Sequence, residues 1–183
     1  MRNRLISRSQ FRQETLKLEQ KVTGYFEQWR EPVYRYVVAA FGNSAQAEDV
    51  TQEAFLQLYR CLHSGQSIRN VRAWVFRVAH NLAVNQIKSQ QLITPLDDET
   101  WADVRRLYQD TSPTPEQKLI QQEKFDQLRI AVTSLTAPER QCLHLRTKGL
   151  RYREIAEILG MGTTTVAETL YRVIEKLAKE NYG

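Results

Sequence analysis

Cys61-x-His63 and Cys142-x-His144 repeat one spacing, and with His80 they account for every cysteine and histidine of the chain. Thiolate and imidazole are zinc ligands and partners in nucleophilic catalysis. On a helix, residues i and i+2 point about 200° apart, so neither pair can chelate one ion alone. Only Cys61, at a helix end, escapes that rule. No serine, cysteine or carboxylate constellation accompanies the histidines. The expectation is therefore no enzyme, no metal and no cofactor, with Cys142 an ordinary buried thiol. Two distant cysteines do not make a disulfide framework, and they fit a reducing cytoplasm.

A second group asks for a partner rather than a reaction. AEDVTQEAF, residues 47 to 55, places Glu48, Asp49 and Glu53 together in a basic chain of net charge +5. On a helical wheel Val50, Thr51, Ala54, Phe55, Leu58 and Leu62 form a core side. Asp49, Gln52, Glu53, Leu56 and Arg60 gather opposite. Asp49, Gln52 and Glu53 are spaced i, i+3, i+4, so their side chains meet, with Leu56 among them. A solvated helix face is the plain reading. Carboxylates around an apolar spot are also how a helix docks on a basic protein. DNA would repel them.

The elements that carry these groups are helical throughout, and no alternating strand appears. A basic first half and a basic last third flank an acidic segment, 94–115, that holds Pro95, Pro113 and Pro115, three of the five prolines. We read an all-α chain of two small domains joined by a flexible acidic linker. About 25 residues of such tether have an r.m.s. span of about 25–30 Å and a full reach of about 80 Å. Within it Trp101, Val104, Leu107 and Tyr108 could form a short amphipathic turn after an Asp97–Asp98 start. No run of eighteen apolar residues suggests a membrane span. The MRNRLISRSQFRQ start lacks the apolar stretch of a secretory signal.

In the first domain, Tyr25–Phe41 reads as one helix ended by Gly42-Asn43, and Ser44 caps the next. A polar loop, His63–Asn70, leads into a helix over 71–91 with an apolar stripe at Trp74, Val78, Leu82 and Ile87. That helix also carries Arg72, Arg77 and Lys88, and amides at Asn81, Asn85, Gln86, Gln90 and Gln91. Amides read base edges and cations hold phosphate. An aromatic beside a polar loop can stack unpaired bases, although Trp74 reads mostly as core.

The second domain is more specific. Pro138 suits the first turn of a helix ending near Lys148-Gly149. Tyr152–Leu159 is short and apolar at Ile155, Ala156 and Leu159. Gly160-Met161-Gly162 is a tight turn, and Thr163 caps a last helix with core positions Val166, Leu170, Val173, Ile174 and Leu177. Ala156, Gly160 and Val166 are the residue types a helix-turn-helix needs at its close approach, its turn and its return packing. Its second helix would offer Thr163, Thr164, Thr165, Ala167, Glu168 and Thr169 to a major groove, with Tyr171 and Arg172 further along.

Both halves resemble an extracytoplasmic-function sigma factor, the minimal two-domain class of the sigma-70 family. AEDVTQEAFLQLYR and RAWVFRVAHNLAVNQIK resemble region 2, and LTAPERQCLHLRTKGLRYREIAEILGMGTTTVAETLYR resembles region 4. The resemblance implies an extension over 1–20, region 2 over 21–91, a linker over 92–116 and region 4 over 117–183. It implies that Asp49, Gln52, Glu53 and Leu56 face core RNA polymerase. Ser67, Arg69, Asn70, Arg72, Arg77, Asn81, Asn85 and Lys88 would read and open the −10 promoter element. Arg153, Thr163, Thr164, Thr165, Glu168, Thr169 and Arg172 would read the −35 element as duplex. Family members are often held by an anti-sigma partner and work as one chain per polymerase.

Two departures bear on DNA. Where the family carries an Arg-rich run after the −10 helix, this chain has Lys88-Ser-Gln-Gln-Leu-Ile. The −35 helix has Ala167, Glu168 and Thr169 where Lys, Ser or Arg are usual. Both remove phosphate contacts, which implies weaker DNA binding or an atypical promoter preference. The alternative, a helix-turn-helix regulator that never meets polymerase, leaves the face at 49, 52, 53 and 56 unused.

Overall fold

The computed structural model describes residues 8–41, 44–90 and 130–181, with side chains over 12–41, 46–86 and 130–178. The 42–43 turn, the Ser44 cap, Lys88 and the acidic segment with Trp101 lie outside these side chains. The described residues form helices with no strand among them.

Helix α1 spans Arg8–Phe41, starting well before the Tyr25 that the sequence suggested. Between Arg8 and Tyr25 only Gly24 carries a large helix penalty, about 1 kcal/mol, too little to stop the helix. Pro32 lies inside α1 and removes one intrahelical bond. Burial of Val33, Tyr36, Val37 and Ala40 just beyond it holds the helix together.

Helices α2 (Ser44–His63) and α3 (Val71–Gln90) complete the first bundle. Ala47, Val50, Thr51, Ala54, Phe55 and Leu58 of α2 are buried, the side the wheel assigned to core. Phe26 of α1 meets Phe55 edge-on, with ring centroids 5.1 Å apart. On α3 the buried set is Val75, Phe76, Ala79, His80 and Ala83. Trp74, Val78 and Leu82, the expected stripe, are only partly buried. The buried face thus runs through Val75, Phe76, Ala79 and Ala83, one residue along from the expected stripe.

The second half contains α4 (Ala137–Thr147), α5 (Tyr152–Leu159) and α6 (Thr163–Asn181). Gly149 and Gly160 sit at φ 76° and 66°, left-handed positions that end α4 and α5. The first bond of α6 runs from Val166 N–H to the Gly162 carbonyl, 3.0 Å, so Gly162 rather than Thr163 is the capping position. Ile174 is 63 % exposed, against the core position expected for it. Val166, Leu170 and Val173 set the buried stripe at spacings of four and three, and Ile174 lies one residue off it.

Glu139 anchors the start of α4. Its carboxylate accepts from Thr136 N–H at 2.8 Å and takes both oxygens to Lys176 Nζ, 2.9 and 2.8 Å, on α6. The Lys176 bond, opposed by burial and helped by Thr136, holds its pKa down at about 2. A depressed carboxylate stabilises the fold above its unfolded pKa near 4.5 and loses that contribution as pH falls toward 2. Lys176 is 42 % exposed, so solvent screening trims the effect. Glu139→Gln should cost about 1–2 kcal/mol at pH 7 and almost nothing near pH 2. Denaturant melts at both pH values check this.

The halves are not separate bodies on a string. α1 packs on α4 and α3 packs on α5. One buried apolar cluster runs from Val33 and Tyr36 through Phe76 to Cys142, Leu145 and Leu150.

Candidate protein and nucleic-acid interfaces

Burying one side of α2 pushes the other into solvent. Asp49 and Gln52 are exposed, Glu53 is half-exposed, and Leu56 is 51 % exposed among them. Glu53 accepts from Gln57 and Arg60, each at 3.1 Å, and Glu48 pairs with Arg30 of α1, also at 3.1 Å. Asp49 and Gln52 thus stand as the open polar edge of a face centred on Leu56. An apolar centre ringed by carboxylates suits a partner surface that is both apolar and basic.

The α2–α3 loop is built by its own polar groups. Gly65 takes φ 80°, Ser64 Oγ donates to the Cys61 carbonyl at 2.8 Å, and Cys61 Sγ donates to Gln66 Oε1 at 2.9 Å. Asn70 caps α3: its Oδ1 accepts from Ala73 N–H at 3.1 Å. The sequence suggests only a DNA role for Asn70, although its place one residue before an apolar helix start is also a capping signal. Ser67 and Arg69 stay exposed on the loop. Arg77, Asn81 and Asn85 form one exposed stripe along α3 at spacings of four, opposite the buried alanines. Arg72 is half-buried, its guanidinium 5.5 Å from the Trp29 ring centroid. A cation, two amides and a polar loop along one strip match the groups that hold phosphate and read bases.

At the start of α6, Thr163, Thr164 and Thr165 are exposed, and Glu168 and Arg172 continue that side. Thr169 is 4 % exposed, and its Oγ1 accepts from Arg172 at 3.3 Å. It faces the domain core next to Leu170, so it leaves the duplex-reading set. Arg153 on α5 is exposed and pairs with Glu157 at 3.2 Å.

No group of three or more metal-ligating side chains occurs among the described residues. Cys142 is buried, which pushes its thiol up to about 11. His80 is also buried and shares a 2.7 Å hydrogen bond through Nδ1 with Tyr36 Oη. Burial lowers its pKa to about 4, and burial with nearby Lys148 and Arg140 does the same for His144. Both are neutral at pH 7. The unfolded chain takes these protons near pH 6.5 and the folded chain only near 4, so stability falls as pH drops through that window and levels below it. His80 accounts for about 2–3 kcal/mol of this, and half-buried His144 for less. Melting curves at pH 7 and 4.5 should show the loss, and His80→Gln should shrink it. This window lies above that of Glu139.

No described helix is long and apolar enough to cross a membrane.

Residues 25–93 match the family description Sigma-70 region 2, and residues 125–177 match Sigma-70, region 4. The chain is 27 % identical over 156 residues to the ECF RNA polymerase sigma factor BldN of Streptomyces coelicolor, covering 84 % of this chain and 58 % of that one. It is 27 % identical over 169 residues to the RNA polymerase sigma factor YlaC of Bacillus subtilis, covering 90 % and 94 %. The Escherichia coli ECF RNA polymerase sigma-E factor is 27 % identical over 146 residues, covering 77 % and 76 %. Among solved structures, the sigma factor RpoE in complex with the anti-sigma factor NepR from Bartonella quintana has a TM-score of 0.61 at 16 % identity, covering 88 % of this chain and 96 % of that one. CnrH in complex with the cytosolic domain of CnrY has a TM-score of 0.58 at 16 % identity, covering 90 % and 92 %. These two likenesses concern the fold.

Proposed function

The chain belongs to the sigma-70 family, in its extracytoplasmic-function class, and from that membership we propose that it binds core RNA polymerase and directs it to promoters. The observation that carries this is the α2 face: Leu56, half-exposed, with Asp49, Gln52 and Glu53 around it. Such a face would dock this chain on the clamp of the polymerase. A free-standing helix-turn-helix regulator has no use for it.

The division of labour follows the surfaces. The loop with Ser67, Arg69 and Asn70, Arg72 at the start of α3, and the stripe of Arg77, Asn81 and Asn85 would receive the −10 element, as would Lys88. Single-stranded bases need stacking surface and amide partners, both available there. The exposed start of α6, Thr163 to Thr165 with Glu168 and Arg172, would enter the major groove at the −35 element. Arg153 would hold phosphate. Glu168 repels phosphate and can accept from a cytosine amino group, which narrows the sequences tolerated. The chain itself makes and breaks no covalent bond; bond formation stays with the polymerase in the cytoplasm. An anti-sigma partner fits this reading, since the sigma factor RpoE of Bartonella quintana, similar in fold, was solved in complex with one.

Size-exclusion chromatography with purified bacterial core RNA polymerase tests the proposal. The chain should co-elute with core as a one-to-one complex. Separate elution of a folded chain, free of any inhibitor, would leave a DNA-binding protein with an unexplained acidic face.

A further inference from the structure

A cleft of about 610 Å³ lies between two walls, the α2–α3 loop with the start of α3 on one side and α5 on the other. That volume falls in the ~300–1,000 Å³ range of small-molecule sites and is too small for a DNA duplex. Both walls are fixed. Asn70 Nδ2 donates to Glu154 Oε1, Arg72 donates to the Gly149 carbonyl at 3.1 Å, and one buried apolar cluster is shared by α1, α3 and α4. The cleft is therefore preformed.

Its lining divides by chemistry. Ile68 and Trp74 from the first wall and Ile158 from the second give it an apolar floor, and all three belong to the apolar cluster or pack against it. Arg69 and Arg77 stand on the first wall and Arg151 and Arg153 on the second, all of them exposed. Glu154 and Glu157 also line the space, but both are engaged. Glu157 pairs with Arg153 at 3.2 Å. Glu154 accepts from Asn70 and, at 2.7 Å, from Arg151 N–H, and it lies 3.9 Å from Arg72. Among the described residues no carboxylate pairs with the guanidinium of Arg69, Arg77 or Arg151. Three uncompensated cations thus face one space with an aromatic floor, and their mutual repulsion is relieved by a bound anion.

We propose that this cleft binds a nucleoside polyphosphate. The base lies on Trp74 and the aliphatic floor, since aromatic side chains stack bases of any sequence. The phosphates bridge Arg69 and Arg77 to Arg151, because guanidinium groups grip phosphate oxygens in pairs. An inorganic anion answers the charge and leaves the floor in water. A neutral ring does the reverse. Arg69 and Arg77 are also promoter-reading residues in the proposal above, so a bound nucleotide excludes the −10 element, and the promoter excludes the nucleotide by the same factor. That competition rests on the promoter reading; the binding itself does not.

Calorimetric titration of the free full-length chain tests the site whether or not polymerase binds. ATP should bind one to one, and inorganic tripolyphosphate about tenfold more weakly, because it leaves the floor empty. Arg151→Glu inverts a charge outside the promoter-reading set and should weaken ATP binding by about tenfold or more. Arg12→Glu makes the same change in net charge at an exposed position of α1 outside the cleft, and should leave the affinity within about twofold. Where Arg151→Glu loses helicity, Arg69→Glu removes a guanidinium from the opposite wall and should show the same loss. Absence of saturable ATP binding, equal affinity for ATP and tripolyphosphate, or equal losses in the Arg12 and cleft variants would overturn the site; the last would reduce it to the general attraction of a basic chain for polyanions.

Discussion

Asp49→Arg/Glu53→Arg should weaken binding to core RNA polymerase by about 100-fold or more, while the melting temperature stays within about 2 °C of wild type. The two halves of that expectation come from the same face. Asp49 is exposed and Glu53 half-exposed, and neither touches the buried side of α2. Glu53 does pair with Arg60 at 3.1 Å, but Arg60 is 66 % exposed, and exposed pairs contribute little. Substitutions on such a surface usually change stability by less than about 0.5 kcal/mol. Against a basic partner the same change replaces attraction by like-charge contact, which costs several kcal/mol. Leu56→Asp should add to the loss by removing the apolar centre. Titration of labelled chain against core polymerase, with melts in parallel, separates the two effects.

Tyr36→Ala should destabilise the fold by about 3–5 kcal/mol, the largest stability change expected at any single site. Tyr36 is fully buried, packs edge-on against Phe76 with centroids 5.6 Å apart, and lies near Cys142 of the second half. Truncation therefore opens a cavity at the point where α1, α3 and α4 meet. It also strands His80 Nδ1, 2.7 Å from the lost hydroxyl. Tyr36→Phe keeps the packing and removes only that bond, so it should cost about 1–2 kcal/mol. Equilibrium denaturation of the two variants tests the split. Because Tyr36 serves both halves, the alanine variant should also unfold α4–α6 at lower denaturant than wild type does.

Local features were legible in the sequence wherever one helix decided them. The buried side of α2 follows its wheel, because α2 packs one face on α1 and α3 and leaves the other free. The ends of α4 and α5 follow from Gly149 and Gly160, whose positive φ no other residue type adopts easily. Helix α3 was harder. Its buried face, Val75, Phe76, Ala79 and Ala83, lies one residue along from Trp74, Val78 and Leu82, and with apolar residues on both stripes the periodicity did not choose between them. Thr136-x-x-Glu139 was a readable capping signal, but its link to Lys176 spans two helices and leaves no local pattern. The same holds for Asn70 with Glu154, separated by 84 residues. Pairings across that distance depend on how the halves dock, which periodicity and turn chemistry do not encode.

Transcription from fragments of the host genome, with core polymerase alone and with core plus the chain, tests the central claim most directly. Discrete new start sites should appear only with the chain and share a two-part upstream sequence. Transcripts no different from those of core polymerase alone, from a folded and inhibitor-free chain, would contradict it.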